Sequence, residues 1–238
     1  MKILITNDDG VYSLGLKFLV EAAKKYGECF VIAPKYEQSA KSHSLNIKDE
    51  LEFKQITDII PGVKTYYLDS TPADCVRVAH SFFKNEFDLV LSGVNNGYNL
   101  GEDIIYSGTT AAATEAVLLG KKAIAFSTQH GDVGKIYPFL DEVLQHFIEN
   151  NYLELWPLFN INIPLNYKKI EYTCQGFTHF PVIFSKEGDY VRSVGRPIIC
   201  SDDIEYSDVD CVYNNNVSIT PLMYDRTNIK ILKKLIIK

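Results

Sequence analysis

The chain opens with MKILITNDDG, and the first chemistry it offers is a pair of adjacent carboxylates, Asp8 and Asp9. They follow the apolar run Ile3-Leu4-Ile5-Thr6 and precede Gly10. Two like charges held close together repel, and one of the pair is pushed to a higher pKa. A divalent cation removes that cost and prefers oxygen ligands. Acidic residues at the carboxyl end of the first strand of an α/β sheet also stand where such sheets bind ligands. Asp8 and Asp9 are therefore read as metal ligands. The plainer alternative is a solvated Asp-Asp-Gly turn, since Asp and Gly both favour turns.

Three further stretches carry candidate chemistry. Ser92-Gly93-Val94-Asn95-Asn96-Gly97-Tyr98-Asn99-Leu100-Gly101 follows a second apolar run. Its glycines allow close backbone approach to a ligand, and its asparagines supply neutral oxygens and amides. An Asn/Gly turn without a ligand is the alternative. Tyr106-Ser107-Gly108-Thr109-Thr110 precedes three alanines, so Ser107 can cap a helix whose free amides, with Gly108 and two threonine hydroxyls, suit a phosphate. An ordinary serine cap explains the same pattern. The loop Gln38-Ser39-Ala40-Lys41-Ser42-His43-Ser44 leaves the end of another strand, so Ser39 can reach Asp8 and Asp9. Lys41 and His43 can meet an anion there or simply be solvated. No GxGxxG follows the first strand, and no GxxxxGK[ST], HExxH or GxSxG occurs.

The elements that must position these groups alternate along the first 165 residues. Leu14, Leu16, Leu19, Ala22, Ala23 and Tyr26 predict a helix ending near Gly27. Cys29–Ala33 reads as a strand stopped by Pro34, followed by a polar loop over 35–50 and extended segments at 51–53 and 65–68. Pro72 starts a helix, 88–92 is a strand, and a helix runs from about Ser107 to Leu119. Residues 123–127, 134–150 and 159–163 read as strand, helix and strand. Strands apolar on both faces, alternating with helices, predict a parallel sheet covered on both sides. From about residue 166 aromatic and β-branched residues alternate with polar ones, as in Tyr172-Thr173, Phe177–Phe180 and Tyr190–Arg192, which predicts extended hairpins. Such an arm suits packing on another subunit. Ile229, Ile231, Leu232 and Leu235 predict a terminal helix within 225–238.

Composition narrows the partners. The 238 residues carry a net charge of −6, which argues against non-specific nucleic-acid binding. The five cysteines form no CxxC, so a zinc ribbon or disulfide framework is not expected. With no leader-like opening and no apolar run of the ~18 residues a span needs, a cytoplasmic protein without membrane association is the expectation.

Taken together the chain resembles the SurE family (stationary-phase survival protein, 5′-nucleotidase). The matching motifs are ITNDDG at 5–10, Ser39 after Val31-Ile32-Ala33-Pro34, STPADCV at 70–76, SGVNNGYNLGEDIIYSGT at 92–109, NINIP at 160–164 and VSITPL at 217–222. The resemblance implies a Rossmann-like three-layer α/β core with a mostly parallel sheet over 1–165. It also implies an exchanged C-terminal β-hairpin arm with a terminal helix over 166–238, the two forming one integrated domain, and a homodimer or homotetramer. It implies a divalent-metal-dependent phosphomonoesterase acting on nucleoside 5′- and 3′-monophosphates, and in some members on short polyphosphate. Carried over, the metal ligands are Asp8, Asp9, Ser39 and Asn95, and the phosphate pocket is Asn96 with Ser107, Gly108 and Thr109. The family usually has Arg-Ser-Gly around the loop serine, where this chain has Gln38-Ser39-Ala40.

One divalent cation per subunit, Mg²⁺ or Mn²⁺, suits an all-oxygen ligand set better than Zn²⁺. The attacking group is a water or Asp8, with a direct role for Asp8 favoured because a carboxylate beside a metal is the obvious nucleophile. Two other classes compete. A receiver-like signalling domain would need an acid at the end of a later strand, where Ser92-Gly93-Val94-Asn95 stands instead. A metal-dependent nucleotide-binding module would bind without turnover.

Overall fold

The computed structural model describes residues 1–57, 59–84, 86–178, 181–195 and 204–236. The chain starts directly in β1 (Lys2–Thr6) and passes through the Asn7–Gly10 turn into α1 (Leu14–Ala23), capped by the Ser13 hydroxyl. β2 (Glu28–Pro34) is followed by the irregular 35–50 loop, then β3 (Phe53–Ile56) and β4 (Lys64–Leu68). Thr71 caps α2 (Pro72–Phe82), and Pro72 sits in the first turn, where no N–H is needed. β5 (Leu89–Asn96) leads through the glycine loop to a single turn, α3 (Asp103–Tyr106), and then to α4 (Gly108–Leu118), capped by Ser107. β6 (Lys122–Thr128), α5 (Tyr137–Glu149), the short α6 (Tyr152–Leu155) and β7 (Leu158–Ile163) complete the alternating part.

One nine-stranded sheet runs β3-β4-β2-β1-β5-β6-β7 and onward through two C-terminal strands. The six strands from β4 to β7 are parallel. Alternate residues of each strand enter opposite cores. Ile3, Ile5, Val31, Leu89, Leu91, Ile124 and Phe126 face α1 and α5; Leu4, Ile32, Val90, Ala123 and Ala125 face α2 and α4. Each fully buried Leu or Ile contributes about 1.5–3 kcal/mol, so this two-sided burial specifies the strand register. Ala112, Ala113 and Ala116 of α4 lie on Ala123 and Ala125 of the sheet, and these small side chains let the helix approach closely.

The C-terminal segment differs from an arm made only of hairpins. β8 (Ile170–Tyr172) pairs in parallel with β11 (Val217–Pro221), which runs antiparallel to β7, so both join the main sheet at its edge. Among the described residues only β9 (Phe184–Glu187) and β10 (Tyr190–Ser193) form a separate hairpin. Phe177 and Thr178 are not in a strand, and His179 and Phe180 lie outside the described residues. α7 (Asp208–Tyr213), capped by Ser207, was not expected, and α8 (Ile229–Ile236) is the expected terminal helix. Among the described residues no helix is long and apolar enough to cross a membrane.

This topology makes one special place. The chain builds β1, β2 and β4 outward in one direction, then returns to lay β5 against the other side of β1. Connections leave β1 and β5 in opposite directions, which opens a crevice beyond their carboxyl ends, where open α/β sheets bind ligands. Thr6 of β1 is level with Ser92 of β5. The Asp8–Asp9 pair and the glycine loop therefore emerge side by side.

Candidate active site

Asp9 joins the two strands of the crevice, its Oδ2 accepting from the Asn96 amide at 3.1 Å. Asp8 turns the other way, into the protein. Its Oδ1 accepts from the Thr109 hydroxyl at 2.5 Å and its Oδ2 from the Thr109 amide at 3.2 Å. That amide belongs to the first turn of α4, where the helix dipole favours a carboxylate. Burial nevertheless dominates and pushes Asp8 up to about 6, against the hydrogen bonds from Thr109. Asp9 is raised as well, first by burial and then by Glu37. Gly108 permits this arrangement: a Cβ there would stand 2.9 Å from the Asp8 Cβ and 3.1 Å from its Oδ2.

The 35–50 loop closes one side. The Gln38 amide donates to the Asp8 carbonyl at 2.7 Å, and the Ser39 hydroxyl donates to Glu37 Oε1 at 2.5 Å. Ala40 stands at φ +55°, a conformation that Gly adopts freely and that costs other residues about 1–2 kcal/mol. The glycine loop closes the other side. Asn95 Nδ2 donates to the Gly97 carbonyl at 2.7 Å, and its Oδ1 accepts no hydrogen bond among the described residues. Asn96 accepts from the Gly131 amide through Oδ1 at 2.8 Å and from His130 Nδ1 through its carbonyl at 3.0 Å. A carbonyl only accepts, so Nδ1 of His130 carries the proton.

The cleft so formed measures about 470 Å³. Asp8, Asp9, Ser39, Asn95, Asn96 and Ser107 line it together, with Tyr98 and Tyr106. Gly108 and Thr109 stand behind Asp8 instead of on the cleft wall. Ser107 caps α4, accepting from the Thr110 amide at 3.1 Å. Of the two basic groups of the 38–44 loop, neither Lys41 nor His43 lines the cleft; His43 is bonded to Glu115 instead. A cavity of about 520 Å³ beyond α3, lined by His43, Ser107 and Arg226, does not include the carboxylate pair.

Sequence reasoning missed three lining residues, Glu37, Asp103 and His130. His130 follows the end of β6, next to β5 in the sheet, and that position was the available signal. Asp103 is pushed up to about 6, mainly by burial and then by Glu102 and Asp208. A buried amide lattice was missed too. Asn162 Oδ1 accepts from the Asn99 amide at 2.9 Å, while Asn160 and Asn162 both donate to the Asn99 carbonyl, at 2.8 and 3.0 Å. Asn99 Nδ2 reaches the Ser127 hydroxyl at 2.8 Å. The NINIP motif thus pins the glycine loop to β7, and Ser127 pins it to β6.

Among the described residues the cleft is lined by four carboxylates (Asp8, Asp9, Glu37 and Asp103) and by no lysine or arginine. No three His, Cys, Asp or Glu side chains converge as a metal cage among those residues. A cation held by Asp8 and Asp9 would complete its shell with neutral oxygens, for which Ser39 and Asn95 are at hand. Such an all-oxygen set fits a hard divalent ion.

Comparison with known proteins places the whole chain in one family and one fold. Residues 3–181 match the model of the family described as "Survival protein SurE". The 5′-nucleotidase SurE of Geotalea daltonii is 38% identical, with 98% of each chain covered. That of Geotalea uraniireducens is 39% identical over 96% of this chain and 95% of its own. The crystal structure of the SurE protein from Aquifex aeolicus superposes with a TM-score of 0.80 at 33% identity, covering 99% of this chain and 98% of that one.

Proposed function

The chain belongs to the SurE family, and from that premise we propose that it is a 5′-nucleotidase whose hydrolysis of phosphomonoesters depends on a divalent cation at Asp8 and Asp9. The observation that carries the cation is the acidic cleft itself, which no lysine or arginine lines among the described residues. A phosphate dianion would meet four carboxylates there and, among those residues, no lysine or arginine to offset them. Mg²⁺ or Mn²⁺, one per subunit, held by Asp8, Asp9, Ser39 and Asn95, would supply the missing positive charge and stabilise charge in the transition state.

The protein's own groups do the rest. Asn96 and Ser107 are assigned to orient the phosphoryl group, with Gly108 and Thr109 forming the turn behind it. Tyr98 and Tyr106 form the wall available to a nucleoside. Both oxygens of Asp8 accept hydrogen bonds from Thr109, which lowers their nucleophilicity. We therefore favour attack by water, with Asp8 as ligand, over an aspartyl-phosphate. Asp103, held near 6, is a cleft group able to give a proton to a leaving oxygen.

The substrates proposed are nucleoside 5′-monophosphates and, with them, 3′-monophosphates. Self-association as a homodimer or homotetramer is proposed on exposed apolar residues, Ile229, Leu235 and Ile236 of α8 and Phe184, Tyr190 and Val191 of the hairpin. A cytoplasmic location, with no nucleic-acid polymer or membrane as partner, completes the reading. The test is phosphate release from a panel of 5′- and 3′-monophosphates with Mg²⁺, with Mn²⁺ and with chelator. Cation-dependent release supports the reading. Nucleotide binding without release from folded protein would replace it with a binding module.

A further inference from the structure

Glu115 is a buried carboxylate that the chemistry above does not use. It stands on α4 and is 4% exposed. His43 Nε2 donates to its Oε2 at 2.8 Å, and Arg77 Nη1 of α2 donates to its Oε1 at 2.9 Å. Burial works to raise the Glu115 pKa, but these two hydrogen bonds outweigh it and the carboxyl is held below its ordinary value. A buried charge with both oxygens bonded stays in place; with one partner removed it becomes costly.

His43 belongs to the loop that carries Glu37 and Ser39 to the cleft. Other ties fasten this loop to the body. The Ser42 amide donates to the Tyr106 carbonyl at 2.9 Å, the Thr71 hydroxyl to the Ser44 carbonyl at 2.8 Å, and the Asn46 amide to Asp74 Oδ2 at 2.9 Å. Each of these involves a backbone group. Among these ties the His43–Glu115 bond is the one made by two side chains, and it reaches the helix that also grips Asp8 through Thr109. Glu115 and Thr109 are about 9 Å apart along the axis of α4, at 1.5 Å per residue. One rigid helix therefore holds both Asp8 and the Ser39 loop. The loop needs holding: Ala40 and Ser42 stand at φ +55° and +53°, conformations that L residues leave when released.

We propose that His43, Glu115 and Arg77 are positioning residues that set Ser39 and Glu37 against Asp8 and Asp9, so that cation affinity depends on a contact outside the cleft. This rests on the reading of the cleft as a cation site. Residues that orient metal ligands typically contribute tenfold or more to metal affinity.

The experiment is Mn²⁺ titration of the full chain followed by electron paramagnetic resonance, with kcat and KM measured at saturating Mn²⁺. The variants are His43→Ala, His43→Gln, Glu115→Gln and, as a surface control, Lys48→Ala. His43→Ala and Glu115→Gln are expected to weaken Mn²⁺ binding at least tenfold. They should lower kcat more than they raise KM, since the wall facing the nucleoside is untouched. His43→Gln, whose amide can still donate to Glu115, recovers most of the affinity, and Lys48→Ala matches wild type. If His43→Ala does not fold, Glu115→Gln carries the same expectation. Wild-type affinity in both His43→Ala and Glu115→Gln overturns the proposal, even if both melt earlier. Absence of Mn²⁺ binding by the wild-type chain would instead overturn the cation reading beneath it.

Discussion

Replacing Asp8 with asparagine should make the cation-stripped protein more stable above neutral pH, not less. In the folded chain burial holds the Asp8 carboxyl at about 6, against an ordinary value of 3.8. The folded state therefore binds its proton more tightly than the unfolded chain does. The stability this group contributes is fully present below about 4 and is lost as pH rises through about 6. At ~1.4 kcal/mol per pH unit the whole difference is about 3 kcal/mol, of which about 2 kcal/mol falls between pH 4.5 and 8. The site is buried, so solvent screening does not discount it. The substituted carboxamide would keep the local bonds: its oxygen can accept from the Thr109 amide, and its NH₂ can donate to the Thr109 hydroxyl, which accepts as readily as it donates. Asp9 and Asp103 shift in the same direction, but they are common to both proteins and cancel in the comparison. The assay is urea unfolding of wild type and Asp8→Asn in chelator across that pH range. The difference between them should move against the wild type by about 2 kcal/mol. Excess Mn²⁺ should reverse it at pH 8, by about 2.7 kcal/mol at a hundredfold excess over Kd, for the wild type only. A difference that is flat with pH, or that moves in favour of the wild type, would refute the account of Asp8 as a buried charge awaiting a cation.

Three other perturbations follow from the same geometry. Gly108→Ala forces a Cβ to within 2.9 Å of the Asp8 Cβ; overpacking of this kind costs about 1–3 kcal/mol, and turnover should fall well beyond that loss of stability, measured as kcat against urea midpoint. Asn162→Ala leaves the buried Asn99 amide without its acceptor, a loss of about 1–3 kcal/mol; hydrogen exchange at Asn99 should speed up and kcat should drop, and unchanged exchange would count against the amide lattice. His130→Ala removes a cleft-lining side chain and its hydrogen bond to the Asn96 carbonyl; KM for a nucleoside monophosphate should rise severalfold in steady-state assays, and an unchanged KM would remove His130 and its hold on Asn96 from substrate binding.

The parallel core and the carboxylate pair were legible because both are written locally. Continuous apolar runs such as Leu89–Leu91 can bury both faces only inside a covered sheet, and the Asp8-Asp9-Gly10 punctuation marks the end of the strand. The single turn of α3 and the six residues of α7 were not legible, because one or two turns leave no period to read and β-branched Ile104, Ile105 and Val209 suit a strand equally. The amide lattice depends on Asn99 meeting Asn160 and Asn162 some sixty residues on, and nothing in either motif names the other.

His43 and Thr109 show the limit more sharply, because both were noticed and both face a partner that spacing does not reveal. A histidine in a polar loop at the end of a strand reads as an anion contact. Its direction is set by Glu115, 72 residues later, whose buried charge needs a donor. Thr109, at a helix start, offers an amide and a hydroxyl that suit a phosphate equally well. Both go to Asp8, because Gly108 has no side chain to hold that carboxylate away. The informative residue of Ser107-Gly108-Thr109 is therefore the glycine: where two adjacent strand-end carboxylates precede a capped helix carrying glycine at its first position, the helix amides can serve the protein's own carboxylate before they serve a ligand.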